Sequence, residues 1–199
     1  MIIHECEQGT EEWLNLRKAI PTASDAKKLV SNTGKLSTQI TGYGQLLAAE
    51  LAGAKFDSYS SSAMDRGTRL EPEARAEYSL DHGPVEEVGF CTNDQKTFGY
   101  SPDGFFKKDG LIEIKCENIS KFLGYIESDQ CPIDHNAQIQ SGLWITGRKW
   151  CDLVFYYPGL KLKVFRVLPD YSFFSKLEKQ TIEVLEIRDE FFKKLTENK

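Results

Sequence analysis

The segment Leu111-Ile112-Glu113-Ile114-Lys115-Cys116 does most to limit what this chain can fold into. Side chains alternate across a strand, so Leu111, Glu113 and Lys115 point one way while Ile112, Ile114 and Cys116 point the other. The second face is wholly apolar and has to be buried, which places a carboxylate and an ammonium side by side on a core strand and not on a freely solvated edge. Charges in that position need partners.

The rest of the chain supplies cover for such a strand. Thr10 to Lys18 predicts a helix, with Thr10 as its cap, Glu11 and Glu12 in the first turn, and Trp13, Leu16 and Arg17 on one face before Pro21 ends it. Thr22-Ala23-Ser24-Asp25 reads as the cap of a second helix carrying Ala26, Leu29 and Val30 and closing near Gly34. Helices over Gly44 to Ala52 and Ala63 to Leu80 follow, with a serine-rich connection over 56–62 and a kink or restart expected at Pro72. Val85 to Cys91, Phe98 to Ser101 and Leu111 to Cys116 read as an antiparallel meander, with Asp103-Gly104 through Asp109-Gly110 as a turn-rich insertion.

A helix over Asn136 to Ile145, strands at Asp152 to Tyr157 and Lys161 to Val167, and a long closing helix complete the pattern. In that last helix Phe174, Leu177, Thr181, Val184, Leu185, Arg188, Phe191, Phe192 and Leu195 recur on one face, as core packing requires. Helices on both sides of a small mixed sheet make the class α/β, or α+β. The 199 residues suit a single domain, with a helical part over about 10–80, the sheet over about 85–167 and the closing helix over about 171–197.

The net charge of -5 argues against a surface coated in positive charge, because counterion release at phosphates requires lysine or arginine. It leaves room for a locally basic cleft drawn from Arg17-Lys18, Lys27-Lys28, Lys107-Lys108 and Lys121. The five cysteines (Cys6, Cys91, Cys116, Cys131 and Cys151) are odd in number, scattered and without a C-x-x-C pair, which disfavours a disulfide framework, a zinc site and an iron-sulfur cluster. No apolar run reaches the length of a bilayer crossing, and the first residues lack a basic region followed by a long apolar one, so a cytoplasmic chain without membrane contact is expected.

The chemistry gathers around Ser101-Pro102-Asp103-Gly104 and the strand that follows. Asp103 ends the preceding strand, and a hairpin-like connection lets its carboxylate meet that of Glu113. Two carboxylates that converge without a basic partner for each are best explained by a divalent cation, and a hard oxygen site fits Mg2+. Phosphodiester cleavage uses such an ion to neutralise developing charge and to lower the pKa of an attacking water. Lys115 can orient that water, deprotonate it or stabilise the pentacovalent phosphate. The competing view is an ordinary surface strand pair, since E-x-K is a common spacing.

Pro102-Asp103, the turn-rich insertion and Glu113-Ile114-Lys115 resemble the signature of the PD-(D/E)XK nucleases, whose core is restriction-endonuclease-like. More specifically the chain resembles the lambda exonuclease and YqaJ-type viral recombinase family. The likeness rests on an ordered set: Trp13 through Arg17, Thr22-Ala23-Ser24, Gly67 through Glu71, Ser101 through Gly104, Glu113 through Cys116, and Ala137 through Gln140. It implies Asp103 and Glu113 as metal ligands, the Ile114 carbonyl as a backbone ligand, Glu71 as an acidic helix residue of the metal site, Lys115 as the catalytic lysine and Gln138 as a helical glutamine beside the centre.

Arg17, Thr22, Ser24 and Ser101 match positions that form or border a pocket for a 5′-terminal phosphate. Lys121 stands where the lambda-like member has an arginine, which keeps the charge and loses the bidentate fork. Glu117 stands where a proline is frequent, and Ser141 where an aromatic often follows the glutamine motif.

The resemblance implies an Mg2+ enzyme with two ions, Mn2+ able to substitute. It would enter at a double-stranded DNA end, preferably 5′-phosphorylated, degrade the 5′-ended strand to mononucleotides and leave a 3′ overhang for phage-type recombination. A homotrimeric ring threaded by DNA and a single-strand annealing protein as partner follow from the same likeness, in the cytoplasm of a bacterial host. A structure-specific or restriction-like endonuclease and a non-catalytic DNA-binding module remain open alternatives on this scaffold.

Overall fold

The computed structural model describes residues 1–56 and 62–197, and the serine-rich connection falls largely outside them. In chain order the first elements are β1 (Ile2–His4), α1 (Glu11–Arg17), a 3-10 turn at Ala23–Lys28, α2 (Ile40–Leu51), α3 (Ser62–His82), β2 (Val85–Glu86), β3 (Phe90–Thr92), β4 (Gly99–Tyr100) and β5 (Gly104–Phe106). Then come β6 (Gly110–Lys115), α4 (Ile119–Glu127), a 3-10 turn at Ile133–His135, α5 (Asn136–Thr146), β7 (Trp150–Phe155), β8 (Lys163–Val167) and α6 (Tyr171–Thr196).

The strands form two sheets. A three-stranded antiparallel sheet has the order β1-β3-β4, and a five-stranded mixed sheet has the order β2-β5-β6-β7-β8. Within the larger sheet β6 and β7 run parallel, pairing Gly110 with Trp150 through Lys115 with Phe155. A parallel pair demands a crossover, and α4 and α5 make it.

The segments read as one meander are therefore divided. Val85–Glu86 joins the larger sheet while Phe90–Thr92 and Gly99–Tyr100 join the smaller, and the turn-rich insertion contains the short strand β5 before its hairpin turn. Hairpin reasoning keeps neighbours in sequence together and cannot anticipate that Ile2–His4 returns to pair with β3 across the chain. The helix α4 was not anticipated either, although Asn118 caps it by accepting from the Lys121 amide.

Strand β6 lies at the centre, and its alternation sorts the core in two. Leu111 belongs to a cluster with Phe105, Leu153 and Phe155, closed over by Ala137, Ile139 and Leu143 of α5 and by residues of α2 and α6. Ile112 and Ile114 belong to a second cluster with Val154 and Tyr156, closed over by Leu70, Ala74 and Tyr78 of α3. Helix α6 packs on α2 across Gly44, where an added Cβ would stand 2.6 Å from Ile187 Cγ2. Phe173, not Phe174, is the aromatic that α6 buries fully, and burial fades beyond Val184.

Two helical expectations change. Helix α3 runs through Pro72 without a restart, because Pro72 sits on the exposed face where water can serve the carbonyl left unpaired. The second expected helix is only a 3-10 turn, and Thr22 gives it no side-chain cap; its amide instead donates to the Tyr43 hydroxyl at 3.3 Å.

Candidate active site

Glu113 is wholly buried at the middle of β6, and its carboxylate is met by hydrogen bonds from three side chains. Lys115, two residues on and therefore on the same face, donates from Nζ to Glu113 Oε1 at 2.7 Å. Gln138 on α5 closes a triangle: its Nε2 donates to the same oxygen, and its Oε1 accepts from Lys115 Nζ at 3.3 Å. Tyr100 at the end of β4 donates to Glu113 Oε2 at 3.2 Å.

Asp103 joins this group through a backbone bond. The pairing of β5 with β6 ends at Gly104 and Ile112, two residues short of Ile114. Asp103 Oδ2 accepts from the Ile114 N–H at 2.6 Å. Arg75 on α3 ties in the last carboxylate: its Nε donates to the Asp103 carbonyl at 2.8 Å, one nitrogen holds Glu71, and another reaches Glu87 at 2.7 Å. Glu71 and Asp103 share the wall of a cavity of about 610 Å³ with Trp13, Arg75 and Glu87.

The electrostatics follow from burial. Loss of water pushes the Asp103 carboxyl well above the usual range, and the charges of Glu113 and Glu71 push it further. Glu71 is also raised by burial, opposed by Arg75. Burial works against the Lys115 ammonium, but Glu113, Asp103 and Glu71 outweigh it and hold the lysine charged.

Among the described residues no three His, Cys, Asp or Glu side chains close on one point as a ready metal cage. The donor chemistry still suits a hard cation. Three carboxylates lie in one another's fields, and the penalty on Asp103 is the deficit that a bound cation would relieve.

The residues matched to a phosphate pocket separate into parts. Ser101 Oγ accepts from Trp13 Nε1 at 2.8 Å and from Arg17 at 3.0 Å, and the guanidinium stacks 4.1 Å from the Trp13 ring centroid. Arg17 and Thr22 line one cavity of about 260 Å³, whereas Ser24 lines a smaller one beside Gln138. Lys121 is exposed on α4 and reaches Glu117 at 3.3 Å. Lys107 and Lys108 sit in the β5–β6 hairpin turn, at the opposite end of β6 from Lys115, and do not line the site.

Tyr100 and Arg75 were not picked out from the sequence. Arg75 carried a usable signal, since it lies four residues after Glu71 at the helical ion-pair spacing. Tyr100 carried none, because its role depends on how the two sheets meet.

A profile of the YqaJ-like viral recombinase domain matches residues 12–149. The chain belongs to this family. All the residues placed around Glu113 fall within the matched span. Among solved structures, the alkaline exonuclease LHK-Exo from Laribacter hongkongensis is similar over 95% of this chain and 97% of its own, with 31% identity and a TM-score of 0.82. LHK-Exo in complex with dAMP gives 32% identity over the same shares and the same TM-score of 0.82. A phage-related exonuclease from Haemophilus somnus 129PT shares the fold, with a TM-score of 0.72 at 12% identity over 92% of this chain and 99% of the other. No curated protein matches. The YqaJ-like family assignment agrees with the fold class read from the sequence, a mixed sheet with helices on both faces. Among the described residues no helix is long and apolar enough to cross a membrane.

Proposed function

We propose that this chain is an Mg2+-dependent exonuclease that enters at the end of duplex DNA and removes 5′-mononucleotides in the 5′-to-3′ direction, leaving a 3′ overhang for strand annealing. The observation that carries the reading is the buried triangle of Glu113, Lys115 and Gln138, with Asp103 fixed beside it on the Ile114 amide. A surface strand pair would leave Glu113 solvated, and here it has no exposure at all. The likeness to LHK-Exo, a protein seen in complex with dAMP, supports a deoxynucleoside monophosphate as the product.

Asp103, Glu113 and the Ile114 carbonyl, with Glu71 alongside, would hold the cation. When bound it neutralises charge on the phosphate and lowers the pKa of water. Lys115 is held charged by the surrounding carboxylates, so it serves as a donor toward a phosphate oxygen or the attacking water. Gln138 fixes the Lys115 ammonium against Glu113. Arg17, Thr22, Ser24, Ser101 and Lys121 are the residues proposed to receive a 5′-phosphate. A homotrimeric ring, a single-strand annealing partner and a location in the bacterial cytoplasm belong to the same proposal.

The test is digestion of a linear duplex labelled separately at each 5′ and 3′ end, with Mg2+ or chelator, beside a closed circle of the same sequence. Metal-dependent release of the 5′ label as mononucleotide, with the circle intact, is the expected result. Cutting of the circle would make the chain an endonuclease. Lys115→Ala should abolish cleavage while duplex-end binding persists, and full activity in that variant would remove Lys115 from the chemistry.

A further inference from the structure

The 3-10 turn at Ala23–Lys28 has about three residues per turn, so Ser24 and Lys27 stand one above the other on one face. Both line a cavity of about 80 Å³ with Asn32, Asp134, His135 and Gln138. Because Gln138 also holds Lys115 and Glu113, this cavity opens directly beside the candidate centre.

His135 is the unusual member. Its Nε2 is buried and, among the described residues, finds no hydrogen-bond partner; Glu117 Oε1 stands at 3.9 Å, beyond bonding range. A buried polar atom left in that state is costly and calls for an explanation, an absent ligand being one. Burial first, then the charges of Lys115, Lys121 and Lys27, drives the ring down to about 3, so His135 is neutral and offers one N–H.

The charges around the cavity are uneven. Lys115 is matched by Glu113 and Lys121 by Glu117, while Lys27 has no ion-pair partner among the described residues and Asp134 is the acidic residue of the lining. A hydroxyl, an unpaired ammonium and an imidazole N–H around one small cavity make a donor set for a phosphate group.

We propose that Ser24, Lys27 and His135 form a subsite for a phosphate of the bound strand other than the one being cut, with Lys27 and His135 as its specificity-determining residues. The assignment rests on the nuclease reading and extends it to two residues that the family likeness did not single out. His135 ends the 3-10 turn Ile133–His135, directly before α5, so the subsite is built from two 3-10 turns.

The experiment uses the full chain with Lys27→Ala and His135→Phe, on one linear duplex bearing either a 5′-phosphate or a 5′-hydroxyl. Each variant should raise KM by about tenfold or more with kcat nearly unchanged, the scale of one charge-assisted hydrogen bond. A rise confined to the phosphorylated end assigns the subsite to the terminal phosphate, and a rise on both ends assigns it to an internal one. Unchanged KM on both substrates overturns the subsite, as does an equal rise in the control Lys179→Ala on the exposed side of α6. Lys27 is exposed, so its variant keeps the test valid if His135→Phe fails to fold.

If the wild type cuts neither duplex, the nuclease reading falls, and the subsite is then judged by titrating inorganic phosphate followed by 31P NMR. Wild-type binding that Lys27→Ala weakens supports it. Equal or absent binding overturns it.

Discussion

The Tyr100 hydroxyl donates to Glu113 Oε2 at 3.2 Å, and neither side chain has appreciable contact with solvent. This bond joins the smaller sheet to the central strand of the larger one. Tyr100→Phe keeps the ring and removes the donor, leaving a buried carboxylate oxygen short of a partner. A hydrogen bond to a charged group contributes about 1.5–3 kcal/mol, so urea unfolding in chelator should show a loss of that order. Added Mg2+ should narrow the difference, since a cation can take the freed oxygen. A loss identical with and without Mg2+ would remove Oε2 from the proposed cation site.

Gly142 sets the distance between α5 and that same tyrosine. A Cβ there would lie 2.7 Å from Tyr100 Cζ, so the ring or the helix must move. Overpacking of this kind costs about 1–3 kcal/mol, and Gln138 lies one turn away on the moving helix. Gly142→Ala is expected to lower both the melting temperature and the cleavage rate. Gly67→Ala, in a helix with nothing within 4 Å of the new methyl, should instead stabilise by about 0.5–1 kcal/mol.

The legible parts of this molecule are those whose signal is local. Alternation over 111–116 gave the central strand and the pairing of Glu113 with Lys115 on one face, and the helices at 10–18, 44–52 and 136–145 were visible from caps and spacing. What escaped depended on long-range partners. Strand β5 is three residues long and exists only because β2 and β6 flank it, so its sequence reads as a turn. Helix α4, which with α5 makes the parallel step from β6 to β7, is the exception: its Asn118 cap and core-facing Phe122 stood directly after the strand at 111–116 as local signals. Tyr100 reaches Glu113 by the packing of two sheets, and no spacing rule connects them.

Arg75 offers a third test. One guanidinium holds Glu71, Glu87 and the carbonyl of Asp103, so it fixes α3 against the start of β5. The Glu87 arm is largely solvated and contributes little, while the other two are sheltered. Arg75→Lys retains the charge but cannot span both sheltered partners. Weaker Mn2+ binding by electron paramagnetic resonance, about tenfold, is expected with the fold intact by circular dichroism. Unchanged Mn2+ affinity would confine Arg75 to packing.

The pH dependence of the metal-free protein follows from Asp103. Burial, then Glu113 and Glu71, holds its carboxyl well above the ordinary aspartate value of 3.8. A proton held more tightly in the folded chain stabilises the fold fully below that ordinary value, and the stabilisation is lost as pH rises through the folded pKa. At neutral pH the chelated protein therefore carries the cost of a buried charge. Asp103→Asn still accepts from the Ile114 amide and cannot ionise. In chelator, urea unfolding should place the variant level with wild type below pH 3.8 and above it at neutral pH. Saturating Mg2+ should reverse the order, because only wild type gains the binding term. A wild type that is already the more stable at neutral pH in chelator would mean that Asp103 ionises without cost, and that the field of three carboxylates does not call for a cation.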